Sequence, residues 1–366
     1  MIQMNDGYST TVEKVLYGSF VKNDRLAQET LNAFSNTSIA NATDLNIFVD
    51  LYSVLRQVFS ENGHTDLSDY TAITSGLVNL CAHYRNFFKR LSVRTTFYLV
   101  HSFNCPEISR KFVSGYNELY WQKSQVKLFN KLANDNFELL EILCPYLPDI
   151  HFIRSARNFE VGVIIADLIE KYGNNKPNLI ISKDIYTLQL TYLYPYTSHL
   201  YPKKVRVGNT SEDQSFMIPI SEKPGYRIDF WNQFKYLRKI KANGLELLSP
   251  VNFPFINALY NFPERNFFKG TKPINEIIKI VNKIVGTSDI KIIPEMLYAD
   301  EEISSIIPIA LIEPKMQVLD ISMMLPYYKQ DPESKSYIIQ NLRDDTTVNM
   351  LNAKFFAHNP IDLMKL

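Results

Sequence analysis

The chain has 366 residues, 46% hydrophobic and 21% charged, which excludes a disordered polypeptide and fits two domains or one core with a large appendage. Lys plus Arg number 39 and Asp plus Glu 38, a net charge of +1, so a uniformly basic DNA-coating protein is excluded and any nucleic-acid surface must be a local patch. With 12 Gly the chain is too poor in glycine for a collagen-like or Gly-rich phosphate-loop architecture, whereas 22 Tyr and 23 Phe supply rings for core packing or base stacking.

Residues 8–40 read as helix with polar breaks. Asn46-Ile47-Phe48-Val49-Asp50 is an apolar run ending in a carboxylate, the pattern of a buried strand. Residues 51–59 are helical, with Leu51, Val54, Leu55 and Val58 on one face and Gly63 as the break. Residues 68–92 form an amphipathic helix whose apolar side carries Leu77, Leu80, Cys81, Tyr84, Phe87, Phe88 and Leu91. Thr96-Phe97-Tyr98-Leu99-Val100 is the second strand, followed by a polar and aromatic stretch over 103–131. A helix is expected over 136–144, stopped by Pro145 and Pro148. Ile150-His151-Phe152-Ile153 is the third strand, and 158–171 is helical up to Gly173. Asn178-Leu179-Ile180-Ile181-Ser182 is the fourth strand, and a further helix begins near Tyr186.

Strands alternating with helices over 46–195 predict an α/β fold with a mostly parallel central sheet flanked by helices. Short apolar strands without alternation fit burial on both faces. Beyond Pro202 the pattern changes: 203–230 is polar with scattered strand signals, 231–300 is helical and broken by prolines, and 301–366 is a helical tail. The expected division is a core over 1–200 and a strand-containing connector with a helical C-terminal region over 201–366.

The three cysteines, Cys81, Cys105 and Cys144, are widely spaced and contain no CxxC, so buried thiols in a reducing, cytoplasmic protein are expected rather than disulfides or a zinc knuckle. The six histidines form no HxH or HExxH pattern. The first residues lack the basic and apolar pattern of a secretory signal, and no run approaches a membrane span, so no membrane partner is expected.

Three carboxylates stand out by position. Asp50 ends the first strand, Glu160 opens the helix after the third, and Asp184 follows the fourth. In parallel sheets ligands bind at the carboxyl ends of the strands. Hard divalent cations prefer oxygen ligands, so such a cluster is a candidate metal site. Each acid also has a plain structural role: Asp50 and Asp184 as helix caps, Glu160 as a negative charge at a helix N-terminus.

In order and context these segments resemble the flap endonuclease and 5′-3′ exonuclease family, whose core is PIN-like. Ile47-Phe48-Val49-Asp50 through Arg56 is similar to its opening strand, metal-binding Asp and Arg-bearing helix. Tyr98-Leu99-Val100-His101-Ser102, with Pro106, Arg110-Lys111 and Tyr116, is similar to its second strand and the start of its arch. Phe159-Glu160 through Leu168 resembles its Glu-containing helix, and Leu179 through Ser182-Lys183-Asp184 to Leu188-Gln189-Leu190 is the nearest match, to the strand that delivers a pair of aspartates. Residues 257–285 stand where the family has its helical DNA-binding motif.

The departures are specific. The second-strand acid is replaced at His101 or Ser102, the acids expected after the helix Glu are Gly162 and Val163, and the second Asp of the fourth-strand pair is Tyr186. The late acid-bearing segment is Ser249-Pro250-Val251-Asn252, and Lys269-Gly270-Thr271-Lys272-Pro273 lacks the Gly-x-Gly hairpin. Asp50, Glu160 and Asp184 are the catalytic and metal-binding acids that remain, enough for one weakly bound Mg²⁺ or Mn²⁺, with His101 either an extra ligand or a locally bonded strand-end residue. The resemblance assigns nucleic-acid contacts to Arg56, Arg110, Lys111, Tyr116, Lys123 and Lys183, the middle four on an arch over 103–131 that projects from the sheet. Further basic clusters are Arg85, Lys89, Arg90 and Arg94; Lys203, Lys204 and Arg206; and Lys235, Arg238, Lys239 and Lys241, each equally a solvated face.

Three functions follow. The first is a DNA-binding, nuclease-like protein for single-stranded or branched DNA, with weak or no cleavage. The second is an active Mg²⁺- or Mn²⁺-dependent 5′ nuclease, and the third a protein-assembly subunit that reuses the fold. Fold alone does not choose among them.

Overall fold

The computed structural model describes residues 42–53, 55, 70–89, 92–102, 123–154, 159–182, 184, 187, 189–194, 196–207, 210–218, 321–330 and 349–350. The helices expected over 8–40 and 231–300 lie outside the described residues.

Strand β1 (Asp44–Asp50) is buried from Leu45 to its end, as a strand covered on both faces must be. It pairs in parallel with β2 (Arg94–His101) on one side and β4 (Asn178–Ile181) on the other. Outside β2 lies β3 (Ile150–Arg154), also parallel. Outside β4 lies parallel β5 (Thr197–Val207), whose far side pairs antiparallel with β6 (Thr210–Ile218). The sheet order is β3-β2-β1-β4-β5-β6, so the α/β class and mostly parallel sheet expected from the sequence are both present. The chain leaves β1 towards β2 and β3, then returns to build β4 and β5 on the opposite side. Between β1 and β4 the order reverses, which opens a crevice at the carboxyl ends of those two strands.

Helices cover both faces. Alternate strand residues point to opposite sides. Ile47 and Val49 of β1 and Phe97 and Leu99 of β2 face α1 (Tyr70–Lys89) and α2 (Lys123–Leu143), packed among Leu77, Tyr84, Phe88, Phe137 and Leu140. Full burial of each such side chain contributes roughly 1.5–3 kcal/mol. On the other side Phe48 and Tyr98 stack at 4.9 Å, and Tyr98 stacks on Tyr172 at 5.8 Å. Tyr172 belongs to a π-helical turn (Ile169–Gly173) that extends α3 (Val161–Leu168), all eight residues of which are buried. After β4 comes the short α4 (Leu190–Leu193), and α5 (Ile321–Gln330) packs on α3 through buried Ile321, Met324, Leu325 and Tyr328.

The amino edge of the sheet is tied by a buried amide network. Asn46 donates to Asn178 Oδ1 and to the Tyr172 carbonyl, both at 3.3 Å, and Asn178 donates to the Gly173 carbonyl at 3.0 Å. A Cβ at position 173 would collide with the Asn178 side chain and displace this amide network.

Several boundaries differ from expectation. Helix α2 starts at Lys123 rather than at 136 and continues to Leu143. Helix α3 starts at Val161, leaving Glu160 before its first turn. The polar stretch after Pro202 forms the β5–β6 hairpin. Cys81 and Cys144 are free and buried, and burial pushes the Cys81 thiol up to about 12. No helix among the described residues is long and apolar enough to cross a membrane.

Candidate functional site

Asp50 stands at the end of β1, beside the crevice between β1 and β4, and is only 2% exposed. The chain turns helical at once over 51–53. Asp50 Oδ1 accepts the Ser53 N–H at 3.0 Å, and the Ser53 hydroxyl donates to the Asp50 carbonyl at 3.2 Å. That is a helix cap, so one carboxylate oxygen fills the plain structural role. The other oxygen accepts the Ser182 hydroxyl at 2.6 Å. Ser182, the residue after β4, in turn accepts the Asp184 N–H at 2.9 Å. One hydroxyl thus bridges the side chain of the first acid to the backbone of the second.

The electrostatics follow from this geometry. Burial pushes the Asp50 carboxyl up to about 6, the Ser182 and Ser53 donors pull it back, and the Asp184 charge adds to the rise. A carboxylate taken out of water is disfavoured as an anion, and a cation beside it would offset that cost. The Asp184 turn is itself braced: its carbonyl accepts the Thr187 hydroxyl at 2.7 Å and the Thr187 N–H at 3.2 Å. Thr187 Oγ1 lies 2.8 Å from Nε2 of the buried His199 on β5.

Glu160 is held differently. Its carbonyl accepts the N–H groups of Val163 and Ile164, while its side chain makes no capping bond to α3. The preceding Phe159 carbonyl accepts the Ser102 hydroxyl, which ties the Glu160 segment to the carboxyl end of β2. All three expected acids therefore stand at the carboxyl edge, and Ser182 links Asp50 to the Asp184 backbone. Among the described residues, however, no three or more His, Cys, Asp or Glu side chains are gathered so as to hold a metal ion.

The end of β2 carries no acid. The His101 ring is buried and stacks on Phe137 of α2 at 3.6 Å. Burial, with the nearby Arg154 charge, holds it well below the ordinary histidine range and therefore neutral. Val100 pairs with Asp50, so His101 points to the face opposite that acid.

Of the expected nucleic-acid contacts, Arg56, Arg110, Lys111, Tyr116 and Lys183 lie outside the described residues, as does Tyr186, and Lys123 is the first residue of α2. Two members of another basic cluster are engaged within their own domain. Arg85 donates to the Pro148 carbonyl at 2.7 Å, and Arg94 pairs with Asp44 at 2.9 Å, at the edge of the sheet remote from the acids. Sequence reasoning passed over Ser53, Ser182, Thr187 and His199 as site residues. Ser53 had a usable signal, three residues after an acid at a helix start; His199 had none.

No protein-family profile and no curated protein matches the chain. Solved structures do. A bacteriophage T5 protein co-crystallised with metal ions is 11% identical, with a TM-score of 0.48 over 77% of this chain and 91% of that one. A bacteriophage T5 flap endonuclease in a complex with DNA and metal ions gives 12% identity and 0.46 over 77% and 90%. Human GEN1 with Holliday junction DNA gives 12% and 0.39 over 87% and 70%.

Proposed function

We propose that the chain is a DNA-binding protein of nuclease-like fold that holds one Mg²⁺ or Mn²⁺ ion weakly and cleaves DNA slowly or not at all. The observation that carries this reading is the Asp50–Ser182–Asp184 linkage at the point where the strand order reverses, with no third ligand gathered to it among the described residues. The donor set suits one ion: Mg²⁺ is commonly held by one or two carboxylates plus water. It does not suit two, which need several carboxylates to offset four positive charges and keep both ions in register.

Asp50 and Asp184 would hold the ion, and Ser182 orients Asp50 by donating to one of its oxygens. When bound, such an ion polarises a phosphoryl oxygen and acidifies a water. Glu160, on the α3 side of the same edge, supplies a third negative charge to the approach. The sequence resemblance supports Arg56, Arg110, Lys111, Tyr116, Lys123 and Lys183 as contacts to single-stranded or branched DNA. The two buried free thiols support a cytoplasmic setting.

The test is purified protein with 5′-flap, nicked and single-stranded DNA in millimolar Mg²⁺ or Mn²⁺, beside Asp50→Ala. The expected result is salt-sensitive binding with trace cleavage. Exchanging Arg110 and Lys111 together for Ala should weaken binding and flatten its salt dependence. Robust turnover lost in Asp50→Ala would replace this reading with an active 5′ nuclease. Absence of salt-sensitive binding would replace it with a protein-assembly role.

A further inference from the structure

The turn that carries Asp184 is held from two sides by residues distant in sequence. On the β5 side the contact is between Thr187 and His199. Thr187 has one hydroxyl hydrogen, and it goes to the Asp184 carbonyl at 2.7 Å. The 2.8 Å contact with His199 is therefore donated by Nε2–H, which sets the tautomer. His199 is fully buried, which holds it neutral.

On the other side stands α5. A helix N-terminus leaves backbone N–H groups without partners inside the helix. Here the buried Ile321 N–H donates to Gln189 Oε1 at 3.0 Å, so a side chain from the Asp184 turn caps a helix 132 residues further along the chain. The last turns of α5 reach the segment that carries Glu160. The Tyr328 ring meets Phe159 edge-on at 5.1 Å, and Lys329 pairs with Glu170. One helix thus bears on the turn after Asp184 and on the residue before Glu160.

We propose that α5 supports the Asp184 turn, and that Gln189 and Thr187 are positioning residues that set Asp184 against Asp50. The inference rests on the metal-site reading for its consequence and on the hydrogen bonds for its geometry, and the test separates the two. Gln189→Leu removes the acceptor at similar size, whereas Gln189→Glu keeps it at a helix end that favours negative charge. The full chain is followed by amide hydrogen exchange and by Mn²⁺ titration with electron paramagnetic resonance.

In Gln189→Leu the Asp184 and Thr187 amides should exchange ~10-fold faster, the scale set by loss of one buried hydrogen bond, while β1 amides keep their rates. Mn²⁺ affinity should fall ~10-fold, the low end for loss of a group that orients a ligand. Gln189→Glu should restore both. Unchanged exchange at Asp184 and Thr187 in the Leu variant overturns the proposal. If that variant does not fold, Thr187→Val against Thr187→Ser decides in the same way, with Val expected to lose protection and Ser to keep it. Exchange that responds in a protein that binds no Mn²⁺ supports the positioning role and refutes the metal reading. Mn²⁺ binding indifferent to both positions, with exchange unchanged, refutes the positioning role alone.

Discussion

The carboxyl edge of the sheet has two halves built in opposite ways. At β1 and β4, hydroxyls and amides converge on carboxylates: Ser53 and Ser182 on Asp50, with Ser182 also accepting the Asp184 N–H. At β2 and β3 the same edge is closed with rings. His101 stacks on Phe137, and Phe137 stacks on Phe152 at 5.6 Å. Ser102 turns its hydroxyl into the Phe159 carbonyl. The difference follows from topology. Between β2 and β3 the connection includes α2, whose Phe137 packs onto His101 and Phe152. Between β1 and β4 the chain departs in two directions, and the switch in strand order there brings Asp50 and the Asp184 turn together.

The closed half is the more costly to break. Phe137→Ala removes a fully buried ring from between His101 and Phe152 and should destabilise the fold by ~3–5 kcal/mol in urea denaturation. A loss below about 1 kcal/mol would mean that this half is loosely packed.

The open half should reveal itself through pH. The Asp50 carboxyl moves from 3.8 to about 6 on folding, so over that interval the folded chain binds the extra proton. Stability attributable to this group is therefore complete below pH 4 and falls as pH rises to 6, by up to ~3 kcal/mol. Asp50→Asn should lack that fall and be the more stable protein at pH 7 in metal-free buffer. Parallel pH profiles for the two proteins would contradict the raised Asp50 carboxyl.

Removing only the bridge gives a smaller effect. Ser182→Ala withdraws the donor that pulls the Asp50 carboxyl down, so its titration by carbon-detected NMR should move to higher pH, and stability should fall by ~1–3 kcal/mol. The smallest effect belongs to the outer contact of α5, the helix that spans both halves. The Lys329–Glu170 pair is 45% and 37% exposed, so Lys329→Ala should change the unfolding free energy by less than ~1 kcal/mol. A larger loss would make this ion pair, rather than Gln189 and Tyr328, the anchor of the helix.

The first four strands were legible in the sequence, because burial on both faces demands unbroken apolar runs such as Ile47–Val49 and Leu179–Ile181, and local composition records that demand. Asp50 and Asp184 were legible as candidates for the same reason: a carboxylate that ends or follows such a run has only the strand's exit to occupy. The β5–β6 hairpin was legible only as scattered strand signals, since an edge ladder tolerates Lys203, Arg206, Glu212 and Asp213, and charge hides its period. The start of α2 was not legible, where 123–131 mixes polar and aromatic residues without a clear face. The sequence-distant contacts of the site were decided by tertiary structure alone. Ser182 reaches Asp50 across 132 residues because β1 and β4 pair in one register, and Gln189 reaches Ile321 because α5 docks on α3. A hydrogen bond between residues so far apart depends on strand order and helix docking, and no local pattern of residue types encodes either.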